Sequence, residues 1–494
     1  MKKYIILSLG LSVNALLAQN TLLEKNFWQN RPNVAVVKAE IAKGNSPSAA
    51  NPANFDVVTQ AIMQDAPQEV VLYLLQQPGN TVDKLTHDSR IYLHWAAYRG
   101  NLDLVKWLLE HQSDINHMDS KGYTPLVFGA NSGLKNPALY DLFFQYGVPL
   151  HQKYKDGAEI FHYAIANDDA NLTLTKYFLG KGFQLNAKDD LGRTVVDYAA
   201  RSQDPELLKK LIPQGGIYTD EILLFAAKGT KNGAEAQPVF DYLIQDLKIS
   251  PKTVDHEGNN LLHFLLSGRN MNETLAAEFI KQGISAEQAN HEGVTPLMKA
   301  AQRNKKALVE LMVQQGLKNI NAVDKKGLSA LSYAMQRASP EMVEYLISQG
   351  ADAQIKDRKG NSLVFYALNS YSDRNKNAVS DILKKLELLK QKGIVITQAQ
   401  PDGNTLAHLA VNQHSVALLE ALKPYFTDIN AQNEEGLTPL HLAAMQSKDM
   451  QLIEALLRLG ADKNIKTSLD ETAYDLAKDN EILGQKLTET AILK

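Results

Sequence analysis

One segment of this chain recurs with a spacing of about 33 residues, and this repetition restricts the fold more than any other feature. EEGLTPLHLAA at 434–444 closely matches NHEGVTPLMKAA at 290–301. The aligned glycines are separated by 35, 35, 66, 35, 34, 33, 43 and 33 residues: Gly122, Gly157, Gly192, Gly258, Gly293, Gly327, Gly360, Gly403 and Gly436. The separation of 66 corresponds to two units, so it predicts a weak copy between Gly192 and Gly258. Such a period is typical of proteins in which each unit buries its apolar residues against its neighbours.

Each element of the repeated unit has a physical role. Asp324 and Gly327 stand first and fourth in a predicted type I turn, where glycine tolerates a positive φ. Thr438 follows its glycine by two residues and can cap a helix, and Pro439 suits the first helical position. Apolar residues three to four apart then predict a second helix with one buried stripe. The sequence therefore predicts a turn and two helices in every unit.

This unit resembles the ankyrin repeat. The match is strongest in GLTPLHLAAMQSKDMQLIEALLRLGADKNIKT at 436–467, and weaker copies extend it over roughly residues 55 to 490. The resemblance implies an all-α fold, an ankyrin-repeat solenoid of about 12 helix-turn-helix units with short projecting hairpin turns. It is almost silent about enzymatic activity, but it implies that the chain binds other proteins.

The N-terminus has the pattern of a secretory signal peptide. A basic start at 1–3 precedes a mostly apolar run at 4–18, and a cut between Ala18 and Gln19 would follow a small residue. The alternative is a first buried helix. We expect a bacterial protein that is exported to the periplasm or secreted, and the absence of cysteine suits an oxidising compartment. The run is too short to span a bilayer, and no later stretch is apolar for long enough, so no membrane span is predicted.

The repeat pattern divides the chain into five predicted segments. They are a signal peptide at 1–18, an N-terminal helical cap and loop at 19–54, an N-terminal stack at 55–255, a C-terminal stack at 256–468 and a capping repeat at 469–494. The last units of the N-terminal stack are degenerate, and a hinge there is one interpretation. The long separation between Gly360 and Gly403 predicts a projecting loop at 369–379.

Histidine is the first candidate for chemistry, but its distribution favours a structural role. Five of the twelve histidines lie five residues after the aligned glycine or its substitute: His94, His162, His263, His408 and His441. A catalytic histidine would be unique, whereas a recurring one can hydrogen-bond the capping Thr and the backbone of an adjacent hairpin. No zinc, nucleophile-elbow or phosphate-loop motif accompanies them. We therefore predict no catalytic residue, no metal and no cofactor.

Partner-binding residues are expected on the hairpin tips and on the exposed positions of each first helix, which the resemblance places on a concave face. The candidates are Tyr98, Arg99, Lys121, Tyr123, Gln302, Arg303, Lys325, Lys326, Arg337, Arg358 and Lys359. Further first-helix positions include Asn131, Asn167 and Arg201. Six cations in three successive units form a predicted basic patch that would suit an acidic partner: Arg303, Lys325, Lys326, Arg337, Arg358 and Lys359. The alternative is an ordinary solvated surface.

The predicted function is a non-enzymatic scaffold outside the cytoplasm that binds another protein. The net charge of -3 gives the whole molecule no reason to bind nucleic acid, and a monomer is expected. Two alternatives stay open from the sequence. One is an accessory factor in envelope stress defence or in toxin neutralisation, and the other is an enzyme carried on inserted loops.

Overall fold

The computed structural model describes residues 20–229, 235–268, 271–485 and 490–494. The predicted signal peptide at 1–18 lies outside the described residues. Contacts between residues divide the chain into two units, Met1–Gly229 and Thr230–Lys494. This division falls earlier in the chain than the predicted boundary between residues 255 and 256, within the stretch where the repeat pattern is weakest. Each unit consists of repeats that contain a hairpin, a first helix and a second helix.

Unit 1 begins with a short helical segment that precedes the repeats. Its helices are Thr21–Leu23 (3₁₀), Lys25–Gln29 and Val34–Ala42. The first and second helices of repeats 1 to 5 are Val57–Met63 with Gln68–Leu75, Tyr92–Arg99 with Leu102–Glu110, Pro125–Asn131 with Pro137–Gln145, Ile160–Ala164 with Thr173–Gly180, and Val195–Ala199 with Pro205–Leu211. The weak copy predicted after Gly192 is present, because Ile222–Ala227 forms the first helix of repeat 6. Short 3₁₀ helices are His87–Ser89, Lys155–Gly157, Ile165–Asn167, Ala200–Ser202 and Ile212–Gln214.

Unit 2 contains the remaining repeats and the C-terminal cap. It starts with Gln237–Asp241, which continues as the π-helix Tyr242–Asp246. Repeats 7 to 12 are Leu261–Leu265 with Glu273–Lys281, Pro296–Gln302 with Lys306–Gln314, Ala330–Arg337 with Pro340–Ser348, Leu363–Leu368 with Ala378–Gln391, Leu406–Val411 with Val416–Leu422, and Pro439–Gln446 with Gln451–Arg458. After the 3₁₀ helix Lys423–Tyr425 in repeat 11, the chain ends with Ala473–Asp479 and the 3₁₀ helices Leu483–Gln485 and Thr490–Leu493.

The hairpin tips follow from the side chain that opens each turn. The carboxylate of Asp324 accepts hydrogen bonds from the backbone N–H groups of Lys326 (2.8 Å) and Leu328 (2.9 Å), so it holds the turn closed. In the described residues this arrangement produces isolated bridges and no strand, for example between Lys356 and Ser362. The all-α prediction is therefore confirmed.

Adjacent tips are joined by one backbone hydrogen bond. The N–H of the second tip residue donates to the carbonyl of the third tip residue in the preceding repeat, as from Lys325 to Glu292 (2.8 Å) and from Arg358 to Lys326 (2.9 Å). Pro401 occupies the donor position in repeat 11 and has no N–H, so this bond cannot form there. A groove of about 400 Å³ lies at that junction, and Pro401 and Gly360 line it.

First helices approach one another closely because their facing residues are small. Ala96 and Ala97 are fully buried in repeat 2. A Cβ atom added to Gly129 of repeat 3 would lie 3.1 Å from the carbonyl oxygen of Ala97. The aliphatic residues of the second helices, such as Leu104 and Leu108, are also fully buried. The core of each unit is thus a continuous layer between repeats.

The insertion of repeat 10 differs in part from its prediction. A loop does follow Leu363–Leu368, but the second helix begins at Ala378 and runs to Gln391, so the last two residues of the predicted loop are helical. This helix has 14 residues, more than any other described helix, and it absorbs part of the inserted length. It carries Lys385, which is 2% exposed and whose Nζ donates to the Met335 carbonyl at 2.8 Å.

Tip packing predicts an unequal effect of alanine at two glycines of unit 2. Gly293 has a φ of +78°, and an added Cβ would lie 2.8 Å from the Cα of Asp324 in the next tip. Gly316 has a φ of +88° but no atom within 4 Å of that position. Gly316→Ala should cost about 1 kcal/mol through backbone strain alone, and Gly293→Ala should cost more. Urea unfolding followed by circular dichroism measures both, and equal costs would show that tip contact contributes nothing.

Candidate functional site: hairpin tips and first helices

The recurring histidines link each first helix to the next hairpin. The Nδ1 atom of His441 accepts the backbone N–H of Thr438 at 3.0 Å, and its Nε2 lies 3.0 Å from the Ile465 carbonyl. The Nε2 atoms of the other four make the same bond at 2.8–3.2 Å: His94 to Tyr123, His162 to Ala187, His263 to Val294 and His408 to Leu437. All five are at most 1% exposed. The structural interpretation of these histidines is confirmed.

These bonds require a neutral imidazole. In His162, His263, His408 and His441, Nδ1 accepts a backbone N–H, so the ring proton lies on Nε2, which faces a carbonyl. The buried Nδ1 of His94 has no hydrogen-bond partner within the described residues. Burial lowers the pKa of His94 and of His263 to about 4, and it lowers the pKa of His162, His408 and His441 as well. The folded protein therefore resists protonation at these five positions.

Acidification should destabilise the fold through these rings. Their pKa is lower in the folded state than the ordinary value of 6.5, so the unfolded chain binds more protons between pH 6.5 and about 4. The stabilisation is complete above pH 6.5 and is lost as the pH falls toward 4, at about 1.4 kcal/mol per unit of pKa shift. Melting temperatures measured from pH 7.5 to 4.5 should fall steadily.

Methionine replaces the histidine in one repeat of this chain, and this replacement can isolate the contribution of one imidazole to acid sensitivity. Met298 occupies the histidine position in repeat 8, so His263→Met should lower stability at pH 7.5 by about 1 kcal/mol per lost hydrogen bond and should reduce the acid sensitivity. His256→Gln is the control, because His256 lies exposed on a tip. An unchanged pH dependence in His263→Met would contradict the assignment.

A second recurring position lies six residues after the glycine and holds an aromatic ring against the hairpin. The Tyr198 hydroxyl donates to Asp189 at 2.9 Å, the Tyr333 hydroxyl to Asp324 at 2.7 Å and the Trp95 Nε1 to Thr86 at 2.8 Å. The sequence reasoning missed this position. The signal was available, because the polar residue at the start of the turn and the aromatic residue are always nine apart.

In unit 1, the predicted site residues lie on the first-helix face and the tips. Tyr98 stacks on Phe128 with ring centroids 5.6 Å apart, and Tyr123 meets Tyr163 edge-on at 6.3 Å. Arg99 forms an ion pair with Asp65, and Lys121 lies 3.0 Å from Asp88. Carboxylates therefore neutralise Arg99 and Lys121, whereas the aromatic rings remain half-buried.

In unit 2, most of the basic patch is exposed and unpaired. Lys325 lies 3.1 Å from Glu292, which neutralises it. The other five cations form no ion pair within the described residues, and all are exposed: Arg303, Lys326, Arg337, Arg358 and Lys359. Backbone bonding holds the tips of Lys326 and Arg358 side by side, while Arg303 and Arg337 lie at the ends of packed first helices. Gln302 is half-buried beside Arg303.

The described residues contain no cluster of three or more acidic or histidine side chains that could hold a metal ion. None of their helices is long and apolar enough to cross a bilayer. The groove beside Pro401 carries a single ionisable side chain, Lys356. The surface built by these repeats presents half-buried aromatic rings in unit 1 and exposed, unpaired cations in unit 2.

Two family models match this chain. The model for ankyrin repeats in three copies matches residues 58–140, 259–357 and 371–467, and the model for many copies matches residues 142–212. Together these segments cover more than half of the sequence, and the chain belongs to the ankyrin-repeat family. Proteins of this family are generally non-enzymatic scaffolds for protein–protein interaction.

Individual relatives are distant and match only part of the chain. NF-kappa-B inhibitor delta of Mus musculus is 27% identical over 248 residues, which are 45% of this chain and 75% of that protein. Ankyrin repeat protein FPV031 of fowlpox virus is 29% identical over 154 residues, which are 30% of this chain and 43% of the viral protein. Among solved structures, the human ASB11 ankyrin repeat domain is 20% identical, with a TM-score of 0.36, and the match covers 44% of this chain and 95% of that domain.

Proposed function

We propose that this protein is an exported scaffold that binds an acidic partner protein on the concave side formed by its tips and first helices. The observation that carries the proposal is the group of five exposed, unpaired cations in repeats 8 to 10, which includes Arg337, Arg358 and Lys359. An unpaired arginine on a surface is available to bind a carboxylate with two parallel hydrogen bonds.

Positive charge at these positions also favours rapid association with an acidic surface. The net charge of the whole chain is -3, so the basic character is local. Local patches of one sign steer association and confer specificity more than they raise affinity. We therefore expect binding to weaken as the salt concentration rises.

The test is capture of a partner by the immobilised mature chain from an envelope extract of the source organism, with identification by mass spectrometry. The purified partner is then titrated against a variant that carries Arg337→Glu, Arg358→Glu and Lys359→Glu. Affinity should fall by at least tenfold, because opposite charges become like charges, and the melting temperature should not fall. All three side chains are exposed and support no described ion pair.

A matched control reverses the same number of charges elsewhere in unit 2. Lys281, Lys384 and Lys392 lie exposed on or just after second helices. Their reversal to Glu changes the net charge equally and should leave affinity within twofold of the parent. Equal losses for the two triple variants would refute a specific basic patch and leave only a whole-molecule charge effect.

Export is proposed on the strength of the N-terminal sequence. The basic start, the apolar run at 4–18 and the small residue Ala18 form a signal peptide pattern. Expression of the full chain in a Gram-negative host should yield a periplasmic or secreted protein whose first residue is Gln19. Placing two Arg residues within the apolar run should retain the uncut chain in the cytoplasm. A cytoplasmic parent that keeps Met1 would refute export without affecting the binding proposal.

A further inference from the structure

Unit 1 contains a half-buried arginine, Arg201, that no described carboxylate neutralises. The two other buried or half-buried arginines of the repeats in this unit are neutralised. Arg90 is paired with Asp88 and Asp119, and Arg193 with Asp156 and Asp189. The single hydrogen bond of Arg201 in the described part of the chain runs from Nη1 to the Asn131 side-chain oxygen at 2.5 Å.

The position of Arg201 places its guanidinium across three repeats. Arg201 lies nine residues after the aligned Gly192, and Asn131 lies nine after Gly122, two repeats earlier. The corresponding residue of the intervening repeat is Ala166. Because alanine has no long side chain at this point, the arginine can extend along the first-helix face as far as Asn131. A residue on a hairpin tip could not make this contact.

Three tyrosines influence the guanidinium electrostatically. Tyr123, Tyr163 and Tyr198 are its electrostatic neighbours, and burial lowers the pKa of Arg201 while these phenols act in the opposite direction. The hydroxyls of Tyr163 and Tyr198 donate to Lys155 and Asp189 respectively. The hydroxyl of Tyr123 makes no hydrogen bond within the described residues, and this side chain is half-buried on the same face.

The guanidinium therefore keeps unused N–H donors at a position that is partly shielded from water. Arginine carries five N–H donors in a planar fork, and one donor is occupied here. A charge removed from water without an opposite charge is costly, and a carboxylate that binds the fork with two parallel bonds recovers that cost. The neighbouring rings add apolar and edge contacts of the kind found at the centre of protein interfaces.

We propose that Arg201, together with the Tyr123 hydroxyl, binds the side-chain carboxylate of an Asp or Glu of a partner protein. The inference rests on the proposed binding function and adds a second, buried anchor in unit 1 to the exposed cations of unit 2. Asn131 orients the guanidinium, and the carboxylate accepts from the remaining N–H groups and from the phenol. The neutralised Arg90 and Arg193 cannot play this role, because their donors already face carboxylates.

The probe is a library of random 12-residue peptides displayed on phage, fused at their C-termini so that no terminal carboxylate is free. Panning against the full chain should enrich peptides that contain Asp or Glu. The most enriched peptide is then synthesised with a C-terminal amide, and each Asp or Glu is replaced singly by Asn or Gln. One replacement should weaken binding by about tenfold to a hundredfold, the range for a charge-assisted bond. A second peptide, with a free C-terminus and no acidic side chain, distinguishes binding through the terminal carboxylate from binding through a side-chain carboxylate.

Asn131→Asp is the decisive variant, because it supplies a carboxylate within the protein at the atom that Arg201 already contacts. It should weaken binding of the acidic peptide by at least tenfold and leave binding of the Asn- or Gln-substituted peptide unaffected. The melting temperature of this variant should be equal to or above that of the parent. A folding defect cannot produce lost binding together with unchanged or increased stability. Arg201→Met should no longer distinguish the acidic peptide from its Asn- or Gln-substituted form. Arg201→Lys should lose most of this discrimination, because the lysine ammonium cannot donate two parallel hydrogen bonds to a carboxylate.

Lys106→Met is the control, because it removes a positive charge from a second helix of unit 1, where Glu110 already pairs with Lys106. Its affinity for the acidic peptide should equal that of the parent. The proposal is overturned if no acidic peptides are enriched, if enrichment is equal on Asn131→Asp, or if the amide peptides bind as tightly as the acidic ones. None of these outcomes bears on the basic patch of unit 2, so a failed carboxylate site and a failed scaffold function are distinguishable.

Discussion

Each unit of this protein depends on contacts between one repeat and the next. The most directional of these contacts are the two hydrogen bonds of the buried imidazole. It accepts from the start of its own first helix and donates to the carbonyl of the following hairpin, as His408 does at 3.2 Å and 2.8 Å. Backbone bonds between neighbouring tips repeat the link at the outer end of each hairpin. Because no repeat can bury its own apolar residues, these links and the alanine-lined helix contacts are what make one repeat stable beside another.

This dependence gives residues of types common in catalysis a structural use in the repeats. The five histidines, the turn aspartates and the tyrosines nine residues after them already have hydrogen-bond partners inside the scaffold. Asp197 shows the same principle in repeat 5, where it replaces the histidine, caps its helix and has a pKa that burial raises to about 6. The proposed partner contacts use side chains without a carboxylate partner in the described repeats, namely the five exposed cations of unit 2 and Arg201.

Much of this organisation could be predicted from the chain alone. The period of about 33, the capping threonines such as Thr438 and the role of His441 all follow from local chemistry that repeats in register. Three features could not be predicted in this way. The second helix of repeat 10 includes inserted residues that the spacing assigned to a loop. Pro401 lacks the N–H that would bond to the preceding repeat, and Lys325 is neutralised by Glu292 from another repeat.

The sequence by itself determined the fold class, the order of turn, first helix and second helix within a unit and the structural use of the histidines, because each depends on residues within one repeat or on its immediate recurrence. Only the tertiary structure decided which charges are free. Arg90 and Arg193 directly follow the aligned residue of their repeats and face carboxylates from adjacent hairpins, whereas Arg201, nine residues after Gly192, extends over an alanine to an asparagine two repeats away. These contacts between repeats join residues about 30 to 70 positions apart, and no local pattern encodes that distance.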